Sequence, residues 1–306
     1  MKKIISTILL VCIMSTLPLF LISCSSFNNN SKKLFETYSD GQDVYLTRYV
    51  GNSHIEQVEI PNGVTIINGK AFELYGTNLK TITMPNSVRK IGAYAFSGCT
   101  SLNNLDIPSS VTEIGEGAFY NCFKLQFVNL INGMDEIGDC MFYCCENLLS
   151  VKIPNSVKRI GKNAFYECKS LTTIDIPNLV KVIDNYAFYG CSLLTEVKLS
   201  NNLIEIGERA FYYCELSSIN LNNSLEIIGK EAFTGNSERS LTIPSSVKYI
   251  GEKAFIMKSL QDVFFEQKSG WKITTGYLYT NLDVSDSKIN AKYMKVDYRN
   301  YVWERN

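Results

Sequence analysis

The sequence predicts a mainly β repeat solenoid, a right-handed stack of about ten rungs of 22–24 residues with short parallel strands and capped ends. Three observations predict it. A phenylalanine returns at Phe72, Phe96, Phe119, Phe142, Phe165, Phe188, Phe211, Phe233 and Phe255, spaced by 24 residues, then 23 five times, then 22 twice. An Ile-Gly step holds the same phase at Ile91-Gly92, Ile114-Gly115, Ile137-Gly138, Ile160-Gly161, Ile206-Gly207, Ile228-Gly229 and Ile250-Gly251, and Ile183-Asp184 keeps the phase without the glycine. With 45% hydrophobic and 20% charged residues, the chain can supply one apolar interior along its length.

The first residues are set apart from the fold. Met1-Lys2-Lys3 is a short positive segment, and Ile4 to Ile22 is apolar except for Ser6, Thr7, Ser15, Thr16 and Pro18. The run ends at Leu21-Ile22-Ser23-Cys24, which resembles the bacterial lipobox, where a small residue precedes a cysteine that is lipidated and becomes the first residue of the mature chain. The resemblance implies a lipoprotein signal peptide at residues 1–23 and lipidation at Cys24. An uncleaved anchor is the alternative, since about 20 apolar residues span a bilayer. Pro18, Ser23 and the abrupt polar stretch after Cys24 weigh against it. Residues 24–33 are the anchor cysteine followed by a polar tether, SSFNNNSKK, with nothing to bury.

The solenoid is expected over residues 34–265. Its unit reads Ile-Pro-x-x-Val-x-x-Ile-Gly-x-x-Ala-Phe-x-x-Cys-x-x-Leu-x-x-Ile-x-Ile. Leu171, Ile174 and Ile176 form an alternating apolar segment up to Pro177, which suits a short strand. Val157 and Ile160 form a second extended segment closed by Gly161, where a turn needing unusual backbone angles costs little. Ala164 and Phe165 then fill the interior. One unit cannot bury its own apolar side, so units must stack, with strands about 4.8 Å apart and an arc of roughly 45 Å for ten rungs. One elongated domain follows, not two globules.

This unit resembles the leucine-rich repeat of the BspA-like surface proteins, bacterial repeat proteins often implicated in adhesion. The likeness covers about Glu36 to Arg305. Pro-x-x-Val follows the strand, as at Pro154 to Val157, where the commoner leucine-rich consensus carries Asn or Cys. Tyr49-Val50-Gly51, leading into Val58-Glu59-Ile60-Pro61, resembles the family's opening rung. Val263-Phe264-Phe265-Glu266 with Trp271 resembles its closing hairpin, and Tyr301-Val302-Trp303-Glu304-Arg305 its C-terminal cap, placed at residues 266–306. Caps are needed because a bare terminal rung would expose an apolar face and open strand edges.

Six cysteines fall on one column, Cys99, Cys122, Cys145, Cys168, Cys191 and Cys214, each 23 residues apart. Stacking brings neighbours within disulfide reach by distance, but column mates point in parallel, which is poor bridging geometry and favours buried thiols. Cys140, Cys144 and Cys145 cluster without a nearby histidine, short of the four converging ligands of structural zinc. His54, the only histidine, lies in a polar loop with Asn52 and Ser53 and has no motif of a catalytic triad around it. The chain carries no phosphate loop, dinucleotide fingerprint or metalloprotease helix. Thirty basic and thirty acidic residues leave no global field toward nucleic acid. Neither a cofactor nor a metal is expected.

The period assigns the outward strand positions as Gln57/Glu59, Thr81/Thr83, Asn104/Asp106, Phe127/Asn129, Ser150/Lys152, Thr173/Asp175, Glu196/Lys198, Ser218/Asn220, Ser240/Thr242 and Asp262/Phe264. Acids are dispersed along that face, unlike the gathered carboxylates of polysaccharide-cleaving β-helices, which are the remote enzymatic alternative. The expected contact surface runs from Asn104 to Lys198 through Asp106, Asn129, Ser150, Lys152, Thr173, Asp175 and Glu196, with Phe127 as an anchor. The expectation is a non-enzymatic, adhesin-like lipoprotein at the bacterial surface, held by lipid on Cys24 and binding an extracellular protein or glycan rather than a small-molecule substrate. A structural or self-associating envelope protein is the alternative.

Overall fold

Each rung lays down two short extended segments joined by turns, and stacking the rungs turns those segments into ladders. The computed structural model describes residues 34–73, 76–274 and 279–305; the apolar leader, Cys24 and the tether lie outside the described residues. The chain is a mainly β parallel solenoid of about ten turns. Among the described residues no helix is long and apolar enough to cross a membrane.

The first ladder pairs Gln57–Glu59, Thr81–Thr83, Asn104–Asp106 and Phe127–Asn129 in parallel, then Thr173–Asp175 with Glu196–Lys198, then Ser240–Ile243 with Asp262–Phe265. Its middle residues, such as Val58, Ile82, Leu105, Val128, Ile174 and Val197, are buried while their neighbours are exposed, the period-two alternation of a strand with one wet face. The second ladder runs in parallel from Val44–Tyr49 through Ile66–Ile67 and Lys90–Ile91 to Glu113–Ile114. It resumes at Glu136–Ile137 and continues unbroken to Tyr249–Ile250.

Between the ladders the chain turns through left-handed residues, and most of them are not glycine. Tyr94, Cys140, Asn163, Tyr186 and Arg209 form one such column, with φ between 51° and 59°. Asn121, Cys144, Glu167 and Tyr213 share a second with Gly98, Gly190 and Gly235. Left-handed backbone costs a residue with a Cβ on the order of 1 kcal/mol. Rung-to-rung hydrogen bonds oppose that cost: the Asn163, Phe165 and Glu167 amides donate to the carbonyls of Asn185, Ala187 and Tyr189 at 3.1, 2.7 and 2.7 Å.

The glycine of the Ile-Gly step serves a different purpose from the one expected. Gly161 is not among the left-handed residues. A Cβ there would come 2.8 Å from the Ile137 carbonyl oxygen, and Cβ atoms on Gly92 and Gly115 would come 2.4 Å from the backbone nitrogens of Gly69 and Ala93. Close approach of one rung's backbone to the next excludes a side chain there.

Phenylalanine fills the interior. Phe72 to Phe255 are all 0–1% exposed, and successive rings lie 5.0–6.0 Å apart. The preceding column is alanine except at Met141, and Met141 marks the one break in the second ladder. Its Cε stands 3.6 Å from the point where a Gly138 Cβ would be, and nothing is nearer. At this rung Glu113–Ile114 and Glu136–Ile137 do not pair with each other, and the longer Met141 side chain is the departure from the repeat that coincides with the gap.

Both ends of the second ladder close with antiparallel strands. Phe35–Ser39 folds onto Val44–Tyr49, and Val302–Arg305 pairs with Tyr249–Ile250 and with Trp271–Thr274. Tyr49 stacks on Phe72 at 5.3 Å and extends the aromatic column into the N-terminal hairpin. At the other end Phe265, Trp271 and Trp303 pack together. A helix, Ser287–Lys292, is capped by Asp286, whose carboxylate accepts the Lys288 and Ile289 amides. Asn290 ties that helix to the last strand of the first ladder by donating to the Val263 carbonyl at 3.0 Å.

Candidate functional site

Alternation along each strand fixes which side chains reach solvent. Asn104, Asp106, Phe127, Asn129, Ser150, Lys152, Thr173, Asp175, Glu196 and Lys198 are all exposed, and Phe127 is 48% exposed. The register sets Asn104 beside Phe127, Asp106 beside Asn129, Thr173 beside Glu196 and Asp175 beside Lys198. Asn129 donates to Asp106 Oδ1 at 3.2 Å. Each outward acid in a paired strand faces a residue that is not acidic: Glu59 faces Thr83, Glu196 faces Thr173 and Asp262 faces Ser240. The face offers hydrogen-bonding groups and scattered charge, without a paired-carboxylate centre.

The face is not continuous. Phe127 and Ser150 form an isolated bridge, and no strand pairing joins Ser150–Lys152 to Thr173–Asp175. A cleft of about 470 Å³ opens at this joint, lined by Ser150, Lys152, Asn155, Thr173, Asp175 and Lys198 among others. The expected surface from Asn104 to Lys198 therefore consists of two paired strips with a cleft between them. A second interruption, between Ser218–Asn220 and Ser240–Thr242, is bridged by a side chain and leaves a smaller cleft of about 260 Å³. Glu238, 9% exposed, accepts the Ile219 amide on Oε2 at 2.8 Å and the Arg239 and Ser240 amides on Oε1 at 2.7 and 3.1 Å.

The column cysteines are free thiols. Cys122, Cys145, Cys168, Cys191 and Cys214 each donate to the carbonyl of a phenylalanine 26 residues earlier, at 3.2 Å. In the next rung Asn236 takes the same position and donates to the Phe211 carbonyl at 2.8 Å. Burial pushes the thiols of Cys99, Cys145, Cys168 and Cys214 well up and that of Cys122 to about 12. Cys140 and Cys144 are half-buried, each raised by desolvation, Cys144 to about 11. Asn163 approaches the Cys140 sulfur at 3.9 Å, and among the described residues no three His, Cys, Asp or Glu side chains gather as metal ligands. His54 is exposed, its amide donating to Asn52 Oδ1 at 3.0 Å.

Sequence reasoning missed a second aromatic column. Tyr120, Tyr143, Tyr166, Tyr189 and Tyr212 stack at 4.6, 4.6, 4.7 and 5.0 Å along the turn side, half-buried. Desolvation raises their phenols at positions 120, 143, 166 and 212, that of Tyr143 to about 12. Arg209 closes one end, 5.6 Å from the Tyr212 ring and 5.7 Å from that of Tyr186. The signal was present as Phe-Tyr in five successive rungs. Arg159 was missed too; it ties Glu136, Asp139 and Asp184 together at 3.0, 2.8 and 2.9 Å.

A family model described as BspA type leucine-rich repeat region matches residues 71–195 and 182–300, with six copies of its repeat. Among solved structures, a leucine-rich repeat protein of T. pallidum is 33% identical over 60% of this chain and 87% of its own, with a TM-score of 0.53. A leucine-rich repeat protein of Bacteroides ovatus is 27% identical over 76% of this chain and 70% of its own, with a TM-score of 0.60. No curated protein matches the chain.

Proposed function

Because the chain belongs to the BspA-type leucine-rich repeat family, we propose that it is a protein-binding, adhesin-like module of the bacterial surface, held to the membrane by lipid on Cys24. The observation that carries this reading is the outward face. Strand positions from Asn104 to Lys198 present exposed polar and charged side chains at a regular repeat, with one large apolar side chain, Phe127, on the second of the five rungs. Solenoids bind extended partners in this way, because each rung adds a modest contact and the sum becomes specific. The ten positions from Asn104 to Lys198 are assigned as contact residues, and Phe127 as their anchor.

The anchor and the binding are tested separately. Fatty-acid labelling of the expressed chain is expected at Cys24 and lost in Cys24→Ala; equal labelling of both removes the lipid tether from the proposal. Binding of the chain to immobilised extracellular-matrix proteins, mucins and host cells is expected to saturate and to survive physiological salt. A second reading, self-association, rests on the strand Tyr279–Asn281, an edge of the closing sheet whose three residues are all exposed. Concentration-dependent assembly without saturable binding would favour it.

A further inference from the structure

Two interruptions of the first ladder differ by one carboxylate. At the bridged one, Glu238 accepts the amide of Ile219 on one rung and that of Ser240 on the next, standing where strand-to-strand bonds would otherwise be. At the open one, the repeat frame puts Val151 at the place of Ile219 and Thr173 at the place of Ser240. Val151 and Ile219 are both buried inward residues, and Thr173 and Ser240 are both exposed outward ones. The position corresponding to Glu238, two residues before the outward one, is Leu171, fully buried in the core. In the repeat frame the Val151 and Thr173 amides stand where Glu238 accepts those of Ile219 and Ser240, no strand pairing crosses this joint, and the corresponding residue, Leu171, is not an acid. Amides that face an open cleft across an unpaired joint are free to take an acceptor from a bound partner in place of water.

We infer that this joint receives a carboxylate from a bound protein segment, an Asp or Glu side chain whose oxygens accept the Val151 and Thr173 amides. The inference rests on the reading of the outward face as a binding surface and names the chemistry at its centre. Lys152 and Lys198 line the cleft and supply positive charge; Asp175 is the one acid lining it, outnumbered two to one. A carboxylate held by backbone amides and flanking ammonium groups forms charge-assisted hydrogen bonds, stronger than neutral ones. A peptide source is favoured over an acidic glycan by the apolar residues alongside. Phe127, 48% exposed, is bridged to Ser150 at the cleft edge, and Leu149, 43% exposed, precedes it, so a chain carrying the acid can seat an apolar side chain next to it.

The test is an amide-resolved titration of the full isotopically labelled chain with acetyl-Leu-Glu-Leu-amide, its Gln counterpart and tri-galacturonate. The Glu peptide is expected to shift the Val151 and Thr173 amides, the Gln peptide to leave them in place, and neither to move Ile219 or Ser240, where Glu238 is already bound. Lys152→Gln with Lys198→Gln is expected to weaken the Glu peptide about tenfold. Glu238→Ala is expected to create a second site, with Ile219 and Ser240 now responding to the same peptide. Still amides at Val151 and Thr173 overturn the inference. If Asn104 and Phe127 shift in that case, the binding face stands without the joint; if matrix binding also fails, the reading of the face falls with it. Shifts caused by tri-galacturonate and not by the Glu peptide overturn the protein source in favour of an acidic glycan.

Discussion

The Cys168 thiol donates to the Phe142 carbonyl oxygen at 3.2 Å, tying the small-residue column to the aromatic column of the rung before it. Five such links run through the interior, and Asn236 continues them with an amide. The thiol is a second donor to each carbonyl, which also accepts a backbone amide three residues on, as Phe142 does from Cys145 at 3.1 Å. Cys168→Ala is expected to cost about 0.5–1.5 kcal/mol, the net worth of one hydrogen bond to a carbonyl that keeps the Cys145 amide, read by urea unfolding. A neutral result would mean that the sulfur is only filling space.

Protonation follows from the same burial. The thiols of Cys99, Cys122, Cys145, Cys168 and Cys214 are raised above their ordinary value of 9.0, Cys122 to about 12, so the folded chain resists losing their protons more than the unfolded chain does. Their contribution to stability is complete below pH 9 and is expected to decline as pH rises toward 12, with the Tyr143 phenol acting in the same direction. Iodoacetamide at pH 8 is expected to leave the ladder untouched and to modify Cys140 and Cys144 slowly, the Cys144 rate climbing with pH toward about 11. Rapid ladder labelling of the native chain, checked by mass, would contradict this.

Tyr49 carries a hydroxyl that is fully buried and has no hydrogen-bond partner. Tyr49→Phe is therefore expected to stabilise the chain by about 1 kcal/mol, since it removes an unsatisfied polar atom and keeps the stack on Phe72. Gly51→Ala is expected to destabilise it, because a Cβ there falls 1.9 Å from Tyr49 Oη. Tyr49→Phe should not rescue Gly51→Ala, as ring carbon Cζ lies 2.2 Å from the same point. Thermal melting of the two single variants and the double variant decides both.

Met141 leads to a local prediction. Gly115 and Gly161 donate their amides to the Ile91 and Ile137 carbonyls at 2.9 and 2.8 Å, whereas Gly138 lies at the unpaired joint. Hydrogen exchange is expected to be faster at Gly138 than at either, and Met141→Ala to slow it by letting the rungs close. Closure should also hold the stability loss to the low end of the ~2–5 kcal/mol usual for such a core truncation. An unchanged Gly138 rate in Met141→Ala would remove the Met141 side chain as the cause of the gap.

Much of this architecture was legible because a period in sequence becomes a column in space. The phase of Phe165 and Ile160 located both ladders and the outward positions, and alternation put Thr173 and Asp175 in solvent on either side of Ile174. Departures from the period were harder to read. Met141 was visible as a residue, but its effect depends on how closely Gly138 approaches the previous rung. The open joint at Ser150 to Asp175 has no marker, because Val151, Ile153 and Leu171 all keep the repeat; only the contrast with Glu238 reveals it. Gly161 was read as a turn residue because glycine tolerates unusual angles, whereas close backbone approach is what excludes a side chain.

The central claim is that partners bind along the strand face. Its most direct test is a hydrogen-exchange footprint of the full chain with a partner captured from the matrix, mucin or host-cell panel. Protection is expected at Phe127–Asn129, Ser150–Lys152, Thr173–Asp175 and Glu196–Lys198, with the turn-side amides around Tyr120 to Tyr212 unchanged. Protection confined to the tyrosine column, with the strand face unaltered, would contradict the account.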